Sequence, residues 1–173
     1  ITVGFIFAFP FILWEIWKFI SPALYEKERK YAVSFIIVSS LLFFVGVLFG
    51  YYLIAPLSVQ FFASYIVSPE ISNSIDIDSY MSLMKTSAIA SGLLFELPII
   101  IFFLTKIGLV TPEFLRKYRK YTLVIVLIVS AIITPPDVLS QIIVSIPIMI
   151  LYEASILISV LVVKSQEKEK LKA

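Results

Sequence analysis

Glu96, Glu153 and Lys85 are charged side chains that stand inside long apolar stretches of this 173-residue chain, so any chemistry within those stretches falls to them. A carboxylate at mid-span costs about 2.5–3.5 kcal/mol on insertion scales, and it therefore faces other helices, a groove or water. Glu96, in the run Leu93-Leu94-Phe95-Glu96-Leu97-Pro98, suits a polar seat for a partner helix or for a proton. A protonated Glu96 bonded to a neighbouring helix accounts for the same residues. Lys85 precedes Glu96 by eleven residues, which returns nearly to the same helix face at a separation of ~16 Å. The two can line one groove but cannot touch, and Lys85, near the end of its span, can equally snorkel to the interface. Ser82 or Ser87 with Lys85 would be a Ser–Lys nucleophile. There is no His and no Cys. Ser–His and Cys–His pairs therefore lack their base, and zinc, iron–sulfur and disulfide chemistry lack their ligands. No GxxxxGK[ST] loop is present, so no nucleotide site of that type and no cofactor is expected.

The elements that must position these residues follow from composition. Hydrophobic residues make up 60% of the chain and charged residues 15%, against about 25% charged in soluble domains. The expected solvent is a lipid bilayer. A helix crosses ~30 Å of hydrocarbon with ~20 apolar residues, and five segments qualify: about 1–20, 31–56, 79–104, 121–133 and 138–163. The fourth has 13 residues before Thr134-Pro135-Pro136, ~20 Å of helix, and forms a tight antiparallel hairpin with the fifth. Tyr31 to Pro69 carries no charge over 39 residues. Pro56 is expected to end or bend that helix, which leaves Leu57–Val67 in or near the interface. Pro98 is expected to kink the third span. Gly46 and Gly50 form a GxxxG, which lets helices approach closely and is read here as internal packing. The chain begins at Ile1, apolar from its first residue, and reads as a fragment of a longer protein.

Every basic residue but Lys85 falls on one side of this topology. Lys18, Lys27, Arg29 and Lys30 surround the loop at about 21–30. Lys106, Arg116, Lys117, Arg119 and Lys120 occupy the loop at about 105–120. Lys164, Lys168, Lys170 and Lys172 occupy the tail at 164–173. The opposite loops carry Glu70, Asp76, Asp78 and Asp137. The positive-inside rule places the basic loops and the C-terminus in the cytoplasm. Asp137, after Pro135-Pro136, is suited to cap the last helix. Glu26 and Lys30 are spaced for a weak i,i+4 pair. Glu28, by composition alone, is a solvated loop charge.

Several segments in series resemble the TatC family, the multi-spanning subunit of the twin-arginine protein translocase. FPFILWEIWKFISPALYEKER resembles that family's second-helix end and first cytoplasmic loop. LLFELP resembles its fourth-helix glutamate motif, TPEFLRKYRKY its second cytoplasmic loop, and ITPPDVLSQ with IPIMILYEAS its last outer turn and sixth helix. The resemblance implies an all-α polytopic membrane protein, a curved wall of helices with a concave face, in which the five spans are helices two to six. It implies binding of the twin-arginine signal peptides of folded cargo through Phe19 and Glu28, in a loop shaped by Pro22, Leu24, Tyr25 and Arg29. A carboxylate suits that task because it accepts two bonds from a planar guanidinium. It implies a polar groove for single-span TatA/TatB-type subunits at Glu96, Asp137, Gln141 and Glu153. It also implies a hetero-oligomer in the cytoplasmic membrane, driven by the proton-motive force, without enzymatic activity, a metal or nucleic acid. The family's first helix and a second arginine-binding glutamate have no counterpart in the sequence. The other readings are a proton-coupled small-solute transporter using Glu96, Lys85 and Glu153, against which no inverted repeat is visible, and a Ser–Lys intramembrane protease.

Overall fold

The structure is a computed structural model that describes residues 2–20, 32–64 and 76–170. These residues form α1 (Thr2–Ile20), α2 (Ala32–Phe49), a π-helical turn (Gly50–Ile54), α3 (Ala55–Ser64), α4 (Ile77–Phe95), α5 (Leu97–Lys106), α6 (Pro112–Lys117), α7 (Arg119–Ile133) and α8 (Val138–Lys170). There is no strand among them. Helix is the expected answer for such a sequence, because in hydrocarbon each backbone N–H and C=O must be bonded within its own segment. Four stretches are long and apolar enough to cross a membrane: Thr2–Phe19, Ser34–Ser64, Ile77–Lys106 and Val138–Lys168. Helix α7, with 15 residues, is shorter than these.

The helices stand in a row. α1 packs on α2, α2 on α4, α5 on α8, and α8 on α7 and the short α6. A row has two apolar faces and no single centre, so the core is divided into small clusters. Phe9, Leu13, Trp17, Ile36 and Phe43 join α1 to α2, with the Phe9 and Phe43 rings stacked at 3.5 Å. Ile54, Val126, Val144 and Ile148 form a second cluster and Ile101, Leu115, Tyr152 and Ile156 a third. Outward-facing residues are as apolar as inward ones: Phe7, Phe11, Ile132, Ile150 and Leu161 are all more than 60% exposed. In water such a surface would aggregate; in a bilayer it is the lipid-facing surface.

Small residues set the closest contact. A Cβ added to Gly46 would lie 2.7 Å from the Ser91 carbonyl oxygen and 2.8 Å from Gly92 Cα, and one added to Gly50 would lie 2.7 Å from Ala88 Cα. The GxxxG thus serves the α2–α4 contact inside the chain, as read from the sequence. Pro56 does not end its helix. The chain widens into the π turn just before it, where the Ala55 N–H reaches the Gly50 carbonyl, and helix then continues to Ser64. The wide turn accommodates a proline ring that a regular turn would press against the preceding carbonyls. Pro98 behaves as expected: α4 stops at Phe95, Glu96 takes φ −75° and ψ −5°, and α5 restarts with Pro98 in its first turn.

The connection from α5 to α7 is built from local signals. Gly108 has φ +79°, the Leu109 N–H bonds the Leu104 carbonyl at 2.9 Å, and the Gly108 N–H bonds the Thr105 carbonyl at 3.0 Å. This is a Schellman C-cap, which needs a residue free to adopt positive φ. Thr111 then caps α6, its Oγ1 accepting the Phe114 N–H at 3.2 Å, with Pro112 in the first turn.

Candidate functional site

Three aromatic side chains identify one end of the row. Trp17, near the end of α1, meets Phe35 at the start of α2 and Phe103 near the end of α5. The Gln166 amide on α8 donates to the Lys106 carbonyl at 2.9 Å. Lys18, Lys106, Lys164 and Lys168 therefore share an end, the basic end of the molecule, reached also by α6 and the start of α7. Lys18 is paired with Glu15 at 2.7 Å. Phe19 sits beside it at 87% exposure, the highest among the exposed large apolar side chains of the described residues. Leu24, Glu28 and Arg29 lie outside the described residues.

Glu96 stands at the break between α4 and α5 and is 6% exposed. Ser39 of α2 donates its hydroxyl to Glu96 Oε2 at 2.5 Å. The other carboxylate oxygen, Oε1, is buried without a hydrogen-bond partner. Buried polar atoms are nearly always bonded, and leaving one unbonded costs about 1–3 kcal/mol. Glu96 is thus held by one oxygen and unsatisfied at the other. Lys85 is exposed on α4 and does not approach it. The serine-rich surroundings continue along the row: Ser87 and Ser91 on α4 face α2, and Thr105 of α5 donates to Ser159 of α8 at 2.9 Å. Such small hydroxyl residues are favoured where membrane helices pack closely.

The α7–α8 hairpin carries the remaining polar groups. At its turn Asp137 Oδ2 accepts the Ser140 N–H at 2.9 Å and the Ser140 hydroxyl at 2.8 Å. It is the helix cap expected from Pro135-Pro136-Asp137. These two bonds, the backbone one first, hold the Asp137 carboxyl below the usual carboxylate range. A depressed folded pKa means the cap contributes fully above the ordinary aspartate value of about 3.9 and is lost as pH falls through the lower folded value. Asp137→Ala is expected to lower the melting temperature in detergent at pH 7 and to flatten the loss of stability at acid pH. Asp137→Asn should retain part of the cap through its amide oxygen. Equal melting curves for wild type and alanine variant at pH 7 would show that the cap contributes nothing.

Gln141, one turn on, donates to the Leu127 carbonyl at 2.9 Å and ties α8 to α7. Glu153, inside the apolar stretch of the last span, is half-exposed. It pairs with Arg119 at 2.5 Å, and the two side chains are 42% and 49% exposed. Because α7 is short, its first residue reaches only this far along α8, and the pair closes the open end of the hairpin. Glu96, Asp137 and Glu153 thus have three different partners on three different elements. Among the described residues no cluster of acidic side chains could hold a metal ion. Neither Ser39 nor Arg119 is singled out by the sequence as a partner. Counting outward from the Thr134–Asp137 turn would place Arg119 opposite Glu153; nothing in the sequence marks Ser39 among its neighbouring serines.

The fold and these residues define a polytopic helical membrane protein built as a row of helices around a buried, hydroxyl-bound glutamate. The chain matches the family model of the Sec-independent protein translocase protein (TatC) over residues 1–147. It is 46% identical over 163 residues to the Sec-independent protein translocase protein TatC of Blattabacterium sp. subsp. Periplaneta americana, covering 94% of this chain and 61% of that protein. It is 45% identical over 157 residues to TatCy of Bacillus subtilis, covering 91% and 62%. A crystal structure of the twin arginine translocase receptor TatC superimposes with a TM-score of 0.74 at 39% identity, covering 94% of this chain and 71% of that one. The chain belongs to the TatC family, a family of protein translocase components and not of enzymes. It spans about three fifths of the length of those two relatives.

Proposed function

We propose that this chain forms part of the receptor of a twin-arginine translocase, recognising the paired arginines of signal peptides at its basic end and seating single-span subunits at Glu96. In this reading the basic end and the C-terminus face the cytoplasm, because Lys and Arg gather there while Asp76, Asp78 and Asp137 mark the other side. The observation that carries the reading is Phe19, a large ring left 87% exposed at the basic end, nine residues before the carboxylate of Glu28. An apolar contact and a carboxylate nine residues apart in the sequence suit a segment that presents guanidinium groups followed by apolar residues. The similarity to a twin arginine translocase receptor of known structure points the same way. The unsatisfied Oε1 of Glu96 supports a docking role, since a donor brought by a second helix would complete it. Glu96 is bonded to Ser39, Glu153 is paired with Arg119 and Lys85 is exposed on α4, three separate settings.

The test is peptide binding by the full-length protein in membranes. Glu28→Ala is expected to weaken binding of an Arg-Arg signal peptide about tenfold to a hundredfold, the worth of one charge-assisted contact. A photoreactive residue at Phe19 should crosslink that peptide and spare a Lys-Lys control. Unchanged affinity together with crosslinking that ignores the arginines would remove the receptor role from this end of the molecule.

A further inference from the structure

A groove of about 460 Å³ opens between α2, α5 and α8 at the basic end. Its lining is graded along its length. Ser34, Ser165 and Lys106 stand at the rim, and below them the walls are apolar, with Phe102, Leu161 and Val38 leading down to Pro98. From Lys106 to Pro98 the α5 backbone falls ~12 Å, comparable to half of the ~30 Å hydrocarbon thickness. The groove therefore runs from the polar boundary to about mid-membrane and stops at the helix break beside Glu96. We propose that it binds one anionic phospholipid, the headgroup at Lys106, Ser34 and Ser165 and one acyl chain lying along Phe102 and Leu161.

Two features select this occupant. The polarity gradient is that of a lipid, polar at one end only and apolar over one leaflet's depth. The rim carries basic residues: Lys106 lines it, and Lys164 and Lys168 are exposed within three residues of Ser165, in a stretch of sequence that also holds Glu167 and Glu169. Basic pockets between membrane helices recruit anionic headgroups, each Lys near the surface adding about 1 kcal/mol. A peptide segment would fill the apolar walls equally well but would have no need of the basic rim. The proposal does not depend on signal-peptide recognition, only on the chain spanning a bilayer.

Trp17 lines the groove and reports on its contents. The full-length protein, carrying Trp14→Phe so that Trp17 is the reporter in this part of the chain, is placed in phosphatidylcholine nanodiscs. These are doped with equal fractions of chain-brominated phosphatidylglycerol or chain-brominated phosphatidylcholine. Brominated phosphatidylglycerol is expected to quench Trp17 at a several-fold lower mole fraction. Lys106→Gln should erase that difference and Lys106→Arg should keep it. Equal quenching by both lipids in the unsubstituted rim overturns the proposal, because it shows only bulk lipid contact. Absence of quenching by either lipid overturns it too, because a protein segment then fills the groove. A preference that survives Lys106→Gln overturns the assignment of the headgroup. Should that variant fail to fold, the comparison of the two lipids in wild type and Lys106→Arg still decides.

Discussion

Gly50→Leu is expected to force α4 away from the π turn and the end of α2, with a large loss of stability. The reason is what a side chain would strike. A Cβ at Gly50 meets the Ser87 carbonyl group and Ala88 Cα, all backbone, and a Cβ at Gly46 meets the Ser91 carbonyl oxygen and Gly92 Cα. Backbone atoms of a helix cannot swing aside as a side-chain tip can; the whole helix must move. Overpacking a core by a few methylenes costs about 1–3 kcal/mol even where side chains yield, against a total stability of about 5–15 kcal/mol. Gly50→Ala already requires a displacement, and Gly50→Leu adds three carbons to it. Gly92 differs, because its Cβ would meet chiefly the Phe43 ring, which can shift at the expense of its stacking on Phe9. Gly4 has nothing within 4 Å, and Gly4→Ala should be neutral or slightly stabilising, as expected of alanine for glycine within a helix. Thermal unfolding in detergent should therefore rank the damage as Gly50 and Gly46 first, Gly92 next and Gly4 last. A Gly50→Leu protein that melts with the wild type would show that the two helices do not approach as closely as described.

That contact was legible as a motif and illegible as a pair. The spacing of Gly46 and Gly50 announces a close approach, but the partner surface, Ser87-Ala88 and Ser91-Gly92, has no glycine repeat of its own and is recognised only once α4 is laid against α2. The apolar segments were legible for a stronger reason: hydrocarbon permits no unbonded backbone, so a long uncharged run has one outcome. Local chemistry was equally legible where a side chain acts within its own turn, as Asp137 does on Ser140 and as Pro98 does in stopping α4. Pro56 shows the boundary of that approach. A proline's clash can be relieved by stopping the helix, by bending it or by widening the turn before it, and Gly50, tight against α4 and without a side chain, sits where the widening begins.

The partners of the intramembrane carboxylates were the least legible part. Glu153 looks buried in ILYEAS because its neighbours are apolar, yet its depth is set by the length of α7, a different element, which brings Arg119 to it. Glu96 was marked by its cost in hydrocarbon, but its donor lies 57 residues away in the chain. Ser39 is followed by Ser40, and no pattern in the sequence separates the one that bonds Glu96 from the one whose hydroxyl is buried without a partner.

Glu96→Leu is expected to separate stability from function. If Glu96 served the fold, leucine would leave Ser39 without an acceptor and weaken the protein by about 1–3 kcal/mol. The geometry argues otherwise. Ser39 is in a helix and can turn its hydroxyl onto the carbonyl four residues earlier, whereas Glu96 keeps one buried oxygen unsatisfied and stands in a setting where a carboxylate is intrinsically costly. Leucine should therefore melt at the wild-type temperature or above it, while export of a twin-arginine cargo is lost because no acceptor remains for an incoming helix. Glu96→Gln should retain part of the export only by turning its amide, so that the NH2 donates to the Ser39 hydroxyl and the oxygen remains as the acceptor for an incoming helix. Ser39→Ala should be the more destabilising change, since it leaves both carboxylate oxygens unbonded. The double variant Ser39→Ala/Glu96→Leu should recover what Ser39→Ala loses, a coupling that a thermodynamic cycle reads directly. If Glu96→Leu instead unfolds the protein and Ser39→Ala does not, the carboxylate is a structural bond and its free oxygen has no bearing on assembly. If both variants fold and export normally, the docking site must be sought elsewhere on the row, with Gln141 and the α7–α8 hairpin the next residues to change.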